Sequence, residues 1–408
     1  MFWLWAPRDG DIVGHLMARR KRIGILTGGG DVPGLNSVIK SVVYRATEPQ
    51  FDFEVVGIRR GWEGLTHADG NAENDPYSMM LDRANTRNID RTGGTFLHTS
   101  RTNPSRMPVH AFPERLRDRV ESLDAVGDGL IDATPLVLEN LDRLNIDHLV
   151  AIGGDDTLSY AWVLDRKSVD IVAVPKTMDN DVRGTEYCIG FSTAMTRAVD
   201  SINRLRTTLG SHERIGVFRI FGRDAGFTAL YAAYVSSTRC CIPESRFGIE
   251  KLANVLVNDK RQNPSSYALV LLSEGATWSD EMNLEYGEPD PFGHRPKMSN
   301  AEKFATEMRA MCGESSTVVD LTYELRSGEP DFLDKMVGTS FAAMAFDCIV
   351  EGARGRMMAV QNGCYVDAPI PDPGLGPRVV DIEAMYDVER FRPNYKSKKS
   401  MSIFMMRA

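Results

Sequence analysis

The sequence predicts an α/β protein with mainly parallel sheets covered by helices on both faces, divided into two domains. Short apolar runs rich in Ile, Val and Leu alternate with helix-compatible stretches through most of the chain, as strands buried on both faces do. The recurring event is a strand that ends in glycine plus a charged residue. At 408 residues the chain is long enough for two cores of ordinary size.

Taken in order, Arg22–Thr27 is the first strand, and Gly28-Gly29-Gly30-Asp31 with Pro33-Gly34 turns into a helix over 35–47. Three glycines remove every Cβ where a phosphate would meet backbone, although a plain tight turn needs the same residues. Residues 53–58 form the next strand and 61–64 a loop. Gly93-Gly94-Thr95, with Arg101 nearby, is a second glycine-rich connection. From 113 to 145 the pattern is helical and polar, with Asp118, Glu121 and Asp124 exposed.

The central stretch runs from Leu149 to Asp181. A strand over 149–152 stops at Gly153-Gly154 and opens, through Asp155 and Asp156, into a helix to about 164. A second strand, 171–174, ends in Pro175-Lys176-Thr177-Met178-Asp179-Asn180-Asp181. Two neighbouring strands thus bring four acids and a lysine to the sheet edge where open α/β sheets bind ligands.

Beyond it, Phe191, Ala194, Met195, Ala198, Ile202, Leu205 and Leu209 recur at helical spacing as the core stripe of a long helix. Ile215–Ile220 is a strand ending in Phe221-Gly222-Arg223-Asp224-Ala225-Gly226. Strands over 267–272 and Ser316–Leu321 end in Ser273-Glu274-Gly275 and Tyr323-Glu324-Leu325-Arg326. A buried helix over 334–350 and a strand over 357–360 close the fold, and 278–296 is an exposed loop.

Hydrophobic content of 42% and charge of 25% describe a soluble globular protein, and no 18-residue apolar run predicts a membrane span. A net charge of −8 argues against nucleic-acid binding through bulk charge, while leaving room for a local basic pocket. Cys188, Cys240, Cys241, Cys312, Cys348 and Cys364 lack any C-x-x-C spacing and read as reduced thiols of a cytoplasmic protein. Residues 1–16, with Phe2-Trp3-Leu4-Trp5, read as an extension without a role in the fold, and the tail with Lys396, Lys398 and Lys399 as solubilising.

These junctions together resemble the 6-phosphofructokinases over about 21–366. The motifs are LTGGGDVPGLN from Leu26, GGDD from Gly153, PKTMDND from Pro175, SHER from Ser211, FGRDAG from Phe221, SEG from Ser273 and YELR from Tyr323. The resemblance implies two Rossmann-like three-layer α/β/α domains with the active site in the cleft between them. Residues 21–190 plus about 325–366 would bind diphosphate and Mg²⁺, and 191–324 plus about 367–390 the sugar phosphate; 1–20 and 391–408 would lie outside both. Within the family, GGDD followed by PKT is similar to the pyrophosphate-using members, whereas ATP users look like GGDG and PGT. A carboxylate at Asp156 fills the place of an α-phosphate. At about 4 Å and an effective dielectric near 20, a like-charge pair costs roughly 4 kcal/mol. Read alone, Asp156 is an ordinary acid favoured at a helix N-terminus; it is the pairing with Lys176 in this frame that turns the reading to donor choice.

The resemblance also implies the roles. Asp179 would be the general base, Arg223 and Lys176 its catalytic partners, and Asp155 the ligand of Mg²⁺. Gly29, Gly30, Arg101 and Lys176 would bind the diphosphate, with Asp156 and Lys176 setting donor choice. Thr177, Met178, Asp179, Arg214, Phe221, Gly222, Arg223, Glu274, Tyr323 and Arg326 would bind fructose 6-phosphate, Arg214 from across a subunit boundary in a homodimer or homotetramer. Asp181 would be a supporting acid. Thr317 stands where regulated members carry another phosphate-binding arginine, which implies one charge fewer in the 6-phosphate pocket. Lys40 and Tyr44 replace a pair of arginines used for effector nucleotides, which implies weak or no nucleotide regulation. Two other readings stay open: an ATP-dependent enzyme that tolerates Asp156, and a catalytically silent sensor of sugar phosphate or diphosphate.

Overall fold

Ile23 and Ile25 of the strand Arg22–Thr27 pack on one side and Leu26 on the other, and all three are fully buried. A strand buried on both faces belongs in the middle of a helix-covered sheet. The computed structural model describes residues 19–69, 75–127, 129–278, 288–289, 295 and 299–395. In it this strand is third from one edge of a seven-stranded sheet. Across that sheet run Cys364–Pro369, Arg356–Gln361, Ile171–Pro175, His148–Gly153, Arg22–Thr27, Glu54–Ile58 and Ser78–Leu81. All neighbours are parallel except the two edge strands.

A second sheet, fully parallel, is ordered Arg239–Cys241, Ala268–Ser273, Ile215–Ile220 and Ser316–Leu321. One face of the large sheet is covered by the helices Thr134–Arg143 and Asp155–Arg166, one face of the small sheet by Ile249–Gln262 and Asn300–Cys312. The inner faces share one continuous core, built on the helices Leu35–Ala46, Phe191–Ser211, Phe227–Ser236 and Phe332–Val350. The apolar stripe of Phe191–Ser211 lies in it, with Met195 and Leu205 at its margin. Asp334, fully buried, ties two of these helices together: it accepts from Tyr187 Oη at 2.6 Å, Gly190 N at 2.7 Å and Thr193 N at 2.8 Å.

Two expectations need correction. The stretch 113–145 is not one helical run: a short helix Arg117–Val120 gives way to strands Ala125–Gly127 and Leu130–Ile131 before the helix Thr134–Arg143. Gly127 and Gly129 take positive φ, of 95° and 73°, and turn the chain, while a proline restarts the helix. Asp118, Glu121 and Asp124 are exposed as expected. The loop expected over 61–64 is instead the start of a helix, Trp62–His67, because Trp62 is buried edge-on against Tyr160 at 4.9 Å. All six cysteines are free. Among the described residues no helix is long and apolar enough to cross a membrane. Residues 1–16, the lysine-rich tail and most of the 278–296 loop lie outside the described residues.

Candidate active site

The strands His148–Gly153 and Ile171–Pro175 pair in parallel, so the acids and the lysine that follow them emerge side by side. They face a cleft of about 210 Å³ lined from both sheets. On its floor is the loop after Arg22–Thr27, held by Gly28 N on the Ile152 carbonyl (2.9 Å) and Gly29 N on the Ser100 carbonyl (3.0 Å). Of Gly28, Gly29 and Gly30, only Gly29 takes a positive φ, of 77°. Gly28 is required for another reason: a Cβ there would stand 2.6 Å from Thr157 Oγ1.

Lys176 is almost fully buried, and its Nζ donates to the Gly30 carbonyl at 2.5 Å. Burial, and then the nearby Arg326, lower its ammonium to about 8, with Asp31 and Asp156 pulling the other way. Asp155 and Asp156 open the helix Asp155–Arg166 and line the same wall, as does Arg101. Thr177 accepts from the Asp179 amide at 3.1 Å. Among the described residues Asp179 Oδ1 is buried without a hydrogen-bond partner. Burial, Asp181 and Glu274 raise the Asp179 carboxyl well above the usual range, and Arg223 and Arg326 oppose that rise. Asp181 is raised as well, by burial and then by Asp155. Two crowded carboxylates in low dielectric disfavour joint ionisation.

The opposite wall comes from the small sheet and carries Phe221, Arg223, Asp224 and Glu274, with Arg326 at the rim. Glu274 is held by Arg219 at 3.4 Å. The Arg326 guanidinium lies over the rings of Phe221 (4.9 Å) and Tyr323 (4.6 Å), and its tip would meet a Cβ on Gly30 at 2.6 Å. It therefore spans from one half of the molecule to the glycine loop of the other. The chemistry of such a pocket is anionic recognition, with a carboxylate of raised basicity at its centre.

The sequence pattern of the phosphofructokinase family matches residues 22–349, most of the chain. The chain belongs to the phosphofructokinase family. It is 34% identical over 370 residues to a pyrophosphate–fructose 6-phosphate 1-phosphotransferase of Streptomyces coelicolor, covering 90% of this chain and 98% of the relative. It is 33% identical over 343 residues to ATP-dependent 6-phosphofructokinase 3 of the same organism, covering 84% and 91%. The fold is shared with the structure of a pyrophosphate-dependent phosphofructokinase from Nitrosospira multiformis, at TM-score 0.72 and 16% identity over 94% of this chain and 92% of that one. Relatives naming either phosphoryl donor thus stand at similar distance, and donor choice has to be read from the residues of this family member.

Most of the residues singled out in the sequence meet in the cleft: Gly29, Gly30, Arg101, Asp155, Asp156, Lys176, Thr177, Met178, Asp179, Asp181, Phe221, Arg223, Glu274 and Arg326. Three do not line it. Gly222 is buried beneath the turn, with φ of 127°. Tyr323 is at the rim, 72% exposed. Arg214 follows the far end of Phe191–Ser211 and is exposed. Thr317 lies within its strand, Lys40 pairs with Asp90 at 2.8 Å, and Tyr44 lies under Arg83 at 4.9 Å. Val32, Gly154, Thr157, Asp224 and Pro377 line the cleft without having been singled out. Asp224 stood inside a quoted motif, and Thr157 directly after one; Pro377 carries no local signal.

Proposed function

We propose that the protein transfers a phosphoryl group from pyrophosphate to the 1-hydroxyl of fructose 6-phosphate, giving fructose 1,6-bisphosphate and phosphate, in a reversible reaction. The observation that carries the donor assignment is the pairing of Asp156 and the buried Lys176 on one wall beside Gly29 and Gly30. A short, highly charged diphosphate gains the ammonium, while the α-phosphate of a nucleotide would meet the carboxylate. The glycines and Arg101 bind the diphosphate.

Asp179 is the general base. Its unpartnered Oδ1 accepts the proton of the 1-hydroxyl as that oxygen attacks phosphorus, and its raised carboxyl makes it a stronger base than an exposed aspartate. Arg223 and Lys176 neutralise charge on the transferring group, and Thr177 with Met178 shapes the approach of the hydroxyl. Phe221, Gly222, Glu274, Tyr323 and Arg326 bind the sugar phosphate. Arg214 reaches the cleft of a neighbouring copy, so the enzyme is at least a homodimer, working in the cytoplasm.

The donor set fits Mg²⁺. Among the described residues no group of three or more metal-type ligands is preassembled, and this cation ordinarily takes one or two carboxylates plus substrate phosphates and water. Asp155 would hold it; its repulsion of Asp181 is what a divalent cation relieves. When bound, the ion neutralises diphosphate oxygens.

A steady-state assay with fructose 6-phosphate and either pyrophosphate or ATP tests the reading. Turnover with pyrophosphate and little with ATP is expected. Activity with ATP alone refutes the donor assignment, and activity with neither refutes catalysis.

A further inference from the structure

The segment after Cys364–Pro369 leaves the large sheet and reaches the small half, and midway it touches the loop that bears Asp179. Pro377 lines the cleft. Arg378 N donates to the Asp181 carbonyl at 2.6 Å, and the Arg378 guanidinium donates to the Asn180 carbonyl at 2.5 Å. One residue, 198 positions along the chain from Asn180, therefore takes two successive carbonyls of the loop. Its guanidinium also packs on the Phe227 ring at 4.9 Å, and only 7% of the residue is exposed.

Phe227 opens the helix that follows Arg223. Two residues beyond Arg378, Val380 N donates to Glu244 Oε1 at 2.8 Å, and the same carboxylate accepts from Gly226 N at 2.9 Å. The segment thus grips the Asp179 loop and the Arg223 turn at once. On its other side the loop is latched by the Asn180 side chain, which accepts from Cys188 N at 2.7 Å and donates to the Glu186 carbonyl at 3.0 Å. Asn180 itself is left-handed, with φ of 53°, a conformation asparagine takes more readily than most side chains.

We propose that Arg378 is a positioning residue for phosphoryl transfer: by holding the Asn180 and Asp181 carbonyls while its guanidinium is packed on the Phe227 ring, it fixes Asp179 relative to Arg223. The proposal rests on the reading of Asp179 and Arg223 given above. Displacing a reacting group by about 1 Å lowers rate on the order of a hundredfold, while leaving ground-state binding of the sugar largely intact.

The test compares Arg378→Met, which keeps a stem on Phe227 and the backbone bond to the Asp181 carbonyl but loses the side-chain donor to the Asn180 carbonyl, with Arg378→Lys, which keeps a side-chain donor. Turnover is measured with whichever phosphoryl donor the wild type uses. The expected result is a fall in kcat of about 10- to 100-fold for Met, with KM for fructose 6-phosphate within about twofold and Lys between Met and wild type. Wild-type kcat in a folded Met variant overturns the proposal, as does a Lys variant no better than Met. Amide exchange on the wild type needs no variant. The Arg378 amide should exchange slowly, and exchange at open-loop rates overturns the grip. If the wild type turns over neither donor, the functional reading fails, while amide exchange still decides whether the segment holds the loop.

Discussion

Replacing Lys176 with methionine should make the protein more stable while abolishing the proposed use of pyrophosphate. Lys176 is 4% exposed, and burial lowers its ammonium from 10.5 to about 8. Because the folded value lies below the unfolded one, the unfolded chain binds more protons between about pH 8 and 10.5, and wild-type stability rises with pH across that window. Below pH 8 the buried charge costs about 2.5 pH units at 1.36 kcal/mol each, or about 3 kcal/mol. Methionine removes that cost but leaves the Gly30 carbonyl without its donor, a loss of about 1–2 kcal/mol. The variant should therefore be more stable by about 1–2 kcal/mol near pH 7, with the advantage gone by about pH 9.5 and reversed by about pH 10.5. Urea unfolding of both proteins at about pH 7 and about pH 9.5 measures this, and pyrophosphate kcat/KM measures the functional loss. A variant less stable near pH 7, or offset from wild type by the same amount at both pH values, refutes the account of Lys176 as a buried charge kept for its ligand.

Three further predictions follow from the cleft. Asp179→Ala should lower kcat by about 10²–10⁴-fold with sugar binding still measurable by calorimetry, and unchanged turnover removes Asp179 as the base. Asp156→Gly combined with Lys176→Gly should admit ATP; a folded variant that still ignores the nucleotide places donor choice elsewhere. Arg214 is exposed and outside the cleft of its own chain, so mixing Arg214→Ala and Asp179→Ala subunits should restore activity above either parent. Failure to recover in a verified hetero-oligomer argues that Arg214 serves no neighbouring site.

What the sequence made legible was the part of the fold governed by local rules. Strands buried on both faces read as unbroken apolar runs, so Arg22–Thr27, His148–Gly153, Ile171–Pro175 and Ile215–Ile220 could be placed close to their actual bounds. The short strands Ser78–Leu81, Arg239–Cys241 and Cys364–Pro369 carry no such run: the first two are only four and three residues long, and the third is mostly exposed. Trp62–His67 was illegible for a different reason: its helix exists because Trp62 meets Tyr160, and that contact belongs to tertiary packing.

The same division runs through the site. The motifs name the groups that converge, because each motif ends a strand and parallel strands deliver their ends to one edge. They do not say that the Asp179 carboxyl is raised above the ordinary range. That property of Asp179 depends on burial and on Asp181, Glu274, Arg223 and Arg326, which reach the cleft from four separate stretches of chain. Arg378 is further still from any motif: its two hydrogen bonds join positions with no shared periodicity, and nothing local marks an arginine that will serve a loop across the molecule. Spacing in the sequence selects the chemical types present, whereas the state of each proton is set by charges that only folding brings within reach.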